Sequence, residues 1–250
     1  MNITIIRVPD YESMSRQAAD FLLKKIRELS SPVLGLATGS TPKGLYEQLI
    51  SIHQTQKISY RHVTTFNLDE YIGLTASDPN SYHAFMEDAF FRHVDIPASQ
   101  IYIPNGEAAY LEHECTRYEA LIDKKGIDVQ VLGIGQNGHI GFNEPDTPFS
   151  QLTHVTTLAE STREANARFF SSPEDVPKQA ITMGIASIMK SSEILLLASG
   201  ARKAEAVTRL LSGNVSEDFP ASVLHHHRCV TIIADDEALS EFTRKEEEHD

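Results

Sequence analysis

The sequence predicts an α/β protein: one open, mostly parallel twisted sheet with helices on both faces, and an active site at the carboxyl ends of the strands. Three observations carry this. Short β-rich runs alternate with amphipathic helical patterns from end to end. The apolar run Val131–Ile134 opens into a glycine-rich turn bearing amide, imidazole and carboxylate groups, where open α/β sheets place their chemistry. No internal repeat, low-complexity linker or composition shift divides the chain.

The elements follow in order. Ile3–Val8 reads as the first strand. Met14, Ala18, Phe21, Leu22, Ile26 and Leu29 then recur at helical spacing, which lays one apolar stripe against a sheet. Val33–Ala37 is the second strand, with a helix over Thr41–Ser51. Val63–Leu68 is the third, with a helix over Asn80–His93. A helix over Ala108–Lys125 ends where Gly126 supplies a left-handed cap, and strand Val129–Ile134 follows. Val155–Leu158 leads to a helix over Ser161–Phe170, whose Ser161 and Glu164 fit a capping box. Strand Ile194–Ala198, a helix over Ala201–Leu211 stopped by Gly213, and strand Val230–Ala234 complete the series. We expect one catalytic domain over residues 1–243, then a charged, frayed tail over 244–250, and Pro145–Gln151 is a loop long enough to move.

At 250 residues, 41% hydrophobic and 23% charged, the chain has the composition of a globular protein with a substantial core. A net charge of −13 argues against nucleic acid, so an anionic ligand needs a local cationic pocket. Cys115 and Cys229 are the only cysteines, too few and too far apart for a disulfide framework or a cysteine metal site; two buried thiols are expected. The first residues carry no basic leader and no run is long enough to cross a bilayer, so a cytoplasmic location with no membrane partner is expected.

Strand Val33–Ala37 runs into Thr38-Gly39-Ser40-Thr41-Pro42, a helix N-terminus whose free amides and hydroxyls suit a phosphomonoester. The same pattern fits an ordinary capped helix, and it is neither a P-loop nor a dinucleotide fingerprint. Asp69 and Glu70 close the next strand; side chains alternate, so only one faces the crevice, and spacing does not say which. Glycines 133, 135, 138 and 141 permit positive φ and close approach, so that Asn137, His139 and Glu144 can converge on one small molecule. There His139 would act as acid and base, Glu144 would orient it and Asn137 would bind a substrate oxygen. Arg168, Arg202 and Lys203 are candidate phosphate cations. The triplet His225-His226-His227 is not expected to bind metal, because consecutive residues project in different directions and no second ligand pair completes a site.

These residues fall into five stretches: Ala37–Pro42, Phe66–Tyr71, Gly135–Pro145, Asn166–Phe170 and Gly200–Ala204. In identity and order they resemble the glucosamine-6-phosphate deaminase (glucosamine-6-phosphate isomerase) family across nearly the whole chain. The resemblance implies a cofactor-free, metal-free conversion of glucosamine-6-phosphate and water into fructose-6-phosphate and ammonia, in amino-sugar breakdown. It implies that Thr38, Gly39, Ser40, Thr41, Arg168 and Lys203 hold the phosphate. Asp69 would remove the C2 proton, and His139 would open the pyranose ring with Asn137 and Glu144 orienting it. Two departures matter. Asn137 stands where some relatives have Asp, so it bears no formal charge. His154 and Thr156 stand where allosteric, hexameric relatives have basic residues, so a non-allosteric monomer or small homo-oligomer is expected. The rivals are 6-phosphogluconolactonase, whose reaction needs no C2 proton acceptor, and a sugar-phosphate sensor, which needs no poised base. The loop after Pro145 and the helix carrying Arg168 are expected to form a lid.

Overall fold

The computed structural model describes residues 3–242; the tail expected over 244–250 lies outside them. Ten strands and seven α-helices alternate: β1 (Ile3–Val8), α1 (Tyr11–Glu28), β2 (Val33–Leu36), α2 (Ser40–Gln56), β3 (Thr64–Asn67), β4 (Asp69–Tyr71), α3 (Tyr82–Ala89), β5 (Ile101–Tyr102), α4 (Leu111–Lys125), β6 (Val129–Gly133), β7 (His154–Thr157), α5 (Glu160–Asn166), β8 (Gln179–Thr182), α6 (Ile185–Met189), β9 (Glu193–Ala198), α7 (Ala204–Leu211) and β10 (Val230–Asp235). Seven strands form one parallel sheet in the order β1-β10-β9-β6-β2-β3-β5. The expected open parallel sheet is therefore present.

Both faces of that sheet are covered. Side chains alternate along a strand, so Val129, Val131, Leu195 and Leu197 face one core with Met14, Ala18 and Leu22 of α1 and Leu45 and Leu49 of α2. Leu132, Ile194 and Leu196 face the other core with Tyr118 and Ile122 of α4 and Val207 and Leu210 of α7. Each large apolar side chain so buried stabilises the fold by about 1.5–3 kcal/mol. The stripe expected on α1 is buried at Met14, Ala18, Leu22 and Ile26, and extends to Ala19 and Leu23, while Phe21 is only partly buried. Gly126 at φ +70° closes α4 and Gly213 at φ +80° follows α7, as the sequence suggested.

A second, antiparallel sheet, β4-β8-β7, was not foreseen, and the run read as Val155–Leu158 belongs to it rather than to the main sheet. It begins where β3 leaves the parallel sheet. Leu68 N–H still donates to Leu36 O at 3.1 Å, and Leu68 O accepts from Met183 N–H at 2.7 Å, so the chain changes partner between Leu68 and Asp69. The crease puts Asp69 at the carboxyl end of the main sheet while holding it by strand pairing.

The helix expected over Ser161–Phe170 starts at Glu160, and Ala159 is its N-cap with no side-chain cap bond. Leu158 N–H is held by Lys178 O, and the first helical bonds run from Thr162 and Arg163 N–H to Ala159 O. Ser161 thus falls inside the first turn rather than at the N-cap position that a capping box requires. Among the described residues, no helix is long and apolar enough to cross a membrane.

Candidate active site

The turn after β2 has the helix-starting backbone that the sequence suggested. After β2, Ala37, Thr38 and Gly39 lead into α2; Gly39 is the N-cap at φ +97°, and no side chain caps the helix. The first-turn amides and the hydroxyls of Thr38, Ser40 and Thr41 stand at the positive end of the helix dipole. Tyr46 Oη–H donates to Ala37 O at 2.5 Å from the core side and Tyr11 Oη–H to Ser40 O at 2.8 Å from the surface, which fixes the turn.

Cations reach this turn from two elements. Arg168 lies in a 3-10 turn, Ala167–Phe169, that continues α5, and its Nη2 donates to Ser40 Oγ at 3.5 Å. Lys203 ends a second 3-10 turn, Ala201–Lys203, that follows β9. Burial lowers the Lys203 ammonium below its ordinary value, and the charges of Arg202 and Arg168 lower it further. Three cations gathered without an acid among these influences favour a bound dianion. Asp235 shapes the second turn: it accepts from Ser199 Oγ at 2.5 Å and from Gly200 N–H at 3.0 Å.

The Asp69 and Glu70 side chains diverge, because β4 continues as a strand whose partners in β8 are Thr182 and Ile181. Asp69 faces the cleft and is 5% exposed. Burial, aided by the negative charge of Glu70, pushes its carboxyl from 3.8 up to about 8. Glu70 turns away and accepts N–H bonds from Tyr71, Tyr82 and His83. A buried carboxylate with high proton affinity is suited to take a proton from carbon; one saturated by backbone amides is not.

The loop after β6 brings the remaining groups to Asp69. Gly135 N–H donates to His139 O at 2.9 Å and Gly138 N–H to Gly135 O at 3.0 Å, so the loop folds on itself. At Gly135 an added Cβ would stand 2.5 Å from the His139 ring, so only glycine lets the imidazole lie flat there. Gly138 and Gly141 have positive φ, +85° and +56°, whereas Gly133 and Gly135 do not; at Gly135 the absent side chain, not the dihedral, is what matters, while a Cβ on Gly133 would meet nothing within 4 Å. A Cβ on Gly141 would lie 3.7 Å from Asp69 Oδ2, which measures how closely the loop passes the carboxylate.

Within the loop, His139 Nδ1 is 3.4 Å from Glu144 Oε2. Asn137 Nδ2–H donates to the same Oε2 at 2.8 Å, and its Oδ1 accepts the His139 backbone N–H at 3.2 Å. Thr162 Oγ–H donates to Glu144 Oε1 at 2.5 Å, a contact that the sequence reading missed. Burial alone would raise the Glu144 carboxyl, but His139, Thr162 and Asn137 outweigh it and hold it down at about 2. Glu144 is thus a fixed anion beside an imidazole. Asn137 supports the pair through Glu144 and the His139 backbone rather than through the ring, and both of these polar contacts are spent inside the loop.

Other candidates fall elsewhere. His225 Nε2 meets Leu210 O, and His227 bridges Ser191 O and Cys229 O, so two members of the triplet serve packing. Among the described residues no group of three or more His, Cys, Asp or Glu is placed to hold a metal ion. Cys115 is buried, but Cys229 is only partly so. The loop after Pro145 is tied down: Asp146 and Phe149 N–H donate to the Glu217 main chain and carboxylate, and Gln151 O accepts from Ala186 N–H. Residues 145–151 are thus anchored to segments that lie far along the chain.

Comparison with known proteins agrees with this geometry. The model of the family described as glucosamine-6-phosphate isomerases/6-phosphogluconolactonase matches residues 9–233. Glucosamine-6-phosphate deaminase of Oceanobacillus iheyensis is 57% identical over 240 residues, 96% of either chain. Glucosamine-6-phosphate deaminase 1 of Bacillus subtilis is 56% identical, over 94% of this chain and 98% of its own. A solved monomeric glucosamine-6-phosphate deaminase, 56% identical, superposes with a TM-score of 0.94 over 95% of this chain and 99% of that one. 6-Phosphogluconolactonase of Thermotoga maritima shares the fold, with a TM-score of 0.75 at 19% identity over 93% of this chain and 99% of that one. With a family model spanning most of its length and such relatives matched end to end, the chain belongs to the glucosamine-6-phosphate deaminase family.

Proposed function

We propose that this protein is a glucosamine-6-phosphate deaminase, converting glucosamine-6-phosphate and water into fructose-6-phosphate and ammonia, with Asp69 as the carbon base. The observation that carries the reading is the convergence of three parts: a buried, proton-avid Asp69, a His139–Glu144 pair on a loop that passes Asp69 at van der Waals distance, and a cationic turn reached by Arg168 and Lys203. The phosphate binds at Thr38–Thr41 with Arg168 and Lys203 and so places C1 and C2 of the sugar in the cleft. His139, held by Glu144, moves the proton from the anomeric hydroxyl to the ring oxygen, and the ring opens to the C1 aldehyde. Asp69 takes the C2 proton while the aldehyde oxygen is protonated, giving an enolamine. Asp69 then returns a proton to C1, leaving a C2 imine and a C1 alcohol. Water adds to the imine, and loss of ammonia yields the ketose.

A lactonase has no use for a base poised at C2, so Asp69 favours the deaminase over that rival. The test is equimolar release of ammonia and fructose-6-phosphate from glucosamine-6-phosphate; tight binding without product would point to a sensor instead. A cytoplasmic monomer without allosteric control is part of this reading, in keeping with the monomeric relative at 56% identity. Lys203→Met is expected to raise KM by about 10- to 100-fold with a smaller loss in kcat, because a charge-assisted phosphate contact is made alike in ground and transition states. Steady-state kinetics check this; an unchanged KM would remove Lys203 from the phosphate site.

A further inference from the structure

Glu70 follows Asp69 in sequence yet does a different task. It is 3% exposed, and its carboxylate accepts three backbone N–H bonds: Oε1 from Tyr71 at 2.8 Å and Tyr82 at 2.9 Å, Oε2 from His83 at 2.9 Å. Tyr82 and His83 are the first residues of α3, so a strand carboxylate clamps the start of a helix. That helix already has an ordinary cap, because Ser81 Oγ accepts from Ala84 N–H at 3.0 Å. The clamp therefore holds α3 to β4 rather than merely starting it.

What α3 carries gives the clamp its meaning. Tyr82 Oη–H donates to Tyr71 Oη at 3.2 Å and interacts with Thr38 of the phosphate turn. The Tyr82 ring stacks on Phe142, in the loop of His139 and Glu144, with centroids 6.0 Å apart and planes at 17°. Tyr71, next to Glu70, meets Asn166 and packs edge-on to Phe170, on either side of Arg168. Through Tyr71 and Tyr82, the Glu70 clamp touches the turn after β2, the loop of His139 and Glu144, and the segment that carries Arg168.

Given the deaminase reading, on which this rests, we propose that Glu70 is a positioning residue: by clamping α3 onto β4 it fixes Asp69 relative to the phosphate turn and the His139 loop. The clamp also has an electrical consequence. The titratable groups whose charge reaches Asp69 are Glu70 and Tyr71 from β4, Tyr82 from α3 and Tyr118 from α4, and across Gly141 lies the loop with His139 and Glu144. The charge of Glu70 is the one that adds to burial in raising Asp69. Removing it lowers Asp69, and the acid limb of kcat/KM moves to lower pH.

The test is steady-state deamination across pH by the wild type, Glu70→Gln, Glu70→Asp and Ser81→Ala, with inorganic phosphate as competitor and thermal unfolding of each. Glutamine keeps the volume but sets an N–H group against the His83 N–H. Absence of wild-type turnover would sink the deaminase reading and leave nothing for Glu70 to position. With wild-type turnover, Glu70→Gln is expected to fold and hold phosphate within about threefold. Its kcat drops about 10- to 100-fold, the size of a misplaced catalytic group, and its acid limb shifts downward. Ser81→Ala loses an ordinary cap, so it melts earlier with its acid limb in place. Glu70→Gln with kcat within about twofold of wild type, or with a loss matched by Ser81→Ala and no shifted limb, overturns the proposal. Should Glu70→Gln not fold, Glu70→Asp decides: it keeps the charge but shortens the reach, so kcat falls with the limb unmoved, and a kcat within about twofold overturns the proposal.

Discussion

Asp69→Asn lowers kcat by about 10²- to 10⁴-fold, the usual worth of a general base, while inhibition by inorganic phosphate stays near the wild-type value. The separation follows from the structure: Asp69 sits in β4, and the phosphate turn and its cations come from α2, the turn after α5 and the turn after β9. Binding and rate collapsing together would mean that Asp69 holds the fold of the site rather than acting on carbon. The carboxyl titrates at about 8, raised by burial and then by Glu70, and only the ionised form is a base. Wild-type kcat/KM is therefore expected to fall as pH drops below about 8. The same shift has a stability consequence of opposite sense. A carboxyl whose proton is held more tightly in the folded than in the unfolded chain stabilises the fold below its ordinary value of 3.8 and progressively loses that contribution as pH rises towards 8. Asparagine does not ionise, so Asp69→Asn gains in melting temperature relative to wild type as the buffer is made alkaline. A catalytic carboxylate buried for its proton affinity lowers stability at working pH.

Glu144→Gln is expected to cost about 100-fold or more in kcat, again within the range for proton-transfer catalysis. The carboxylate accepts from the Asn137 amide and the Thr162 hydroxyl and stands 3.4 Å from His139 Nδ1, and an amide in its place cannot stabilise a positive imidazole. Its titration adds a second readout. Glu144 is held at about 2 by His139, Thr162 and Asn137 against the cost of burial, so its contribution to stability is present above its ordinary 4.5 and lost as pH falls towards 2. Wild type therefore loses an increment of stability through that acid window that Glu144→Gln does not have to lose. Identical pH–stability curves for the two, or turnover within about threefold, would show that His139 does not depend on this anion.

The main sheet was legible because its strands are short apolar runs separated by helical patterns, and β2, β6 and β9 were placed within a residue or so of their ends. The small sheet was not. β4 reads Asp-Glu-Tyr and β8 reads Gln-Ala-Ile-Thr, too short and too polar for a period to emerge, and their pairing spans more than a hundred residues. That omission is why spacing could not choose between Asp69 and Glu70: the choice is made by pairing with Thr182 and Ile181, which only the folded chain displays. Thr162 was passed over for a related reason, since the helix was started one residue late and its first turn was assigned to capping rather than to Glu144. The strand-to-helix turn after β2 was legible because a strand end, a positive-φ glycine and helix-starting hydroxyls are local features. The anchoring of residues 145–151 depends on Glu217, which no local pattern reveals.

The central claim is that carbon chemistry at C2 runs through Asp69, and glucosamine-6-phosphate carrying deuterium at C2 tests it most directly. We expect a primary isotope effect on ammonia release, part of the label recovered at C1 of fructose-6-phosphate and the rest in water, and both signals lost in Asp69→Asn. Ammonia released by the wild type at the same rate from labelled and unlabelled sugar, with deuterium retained at C2 until the imine forms by another route, would contradict the account.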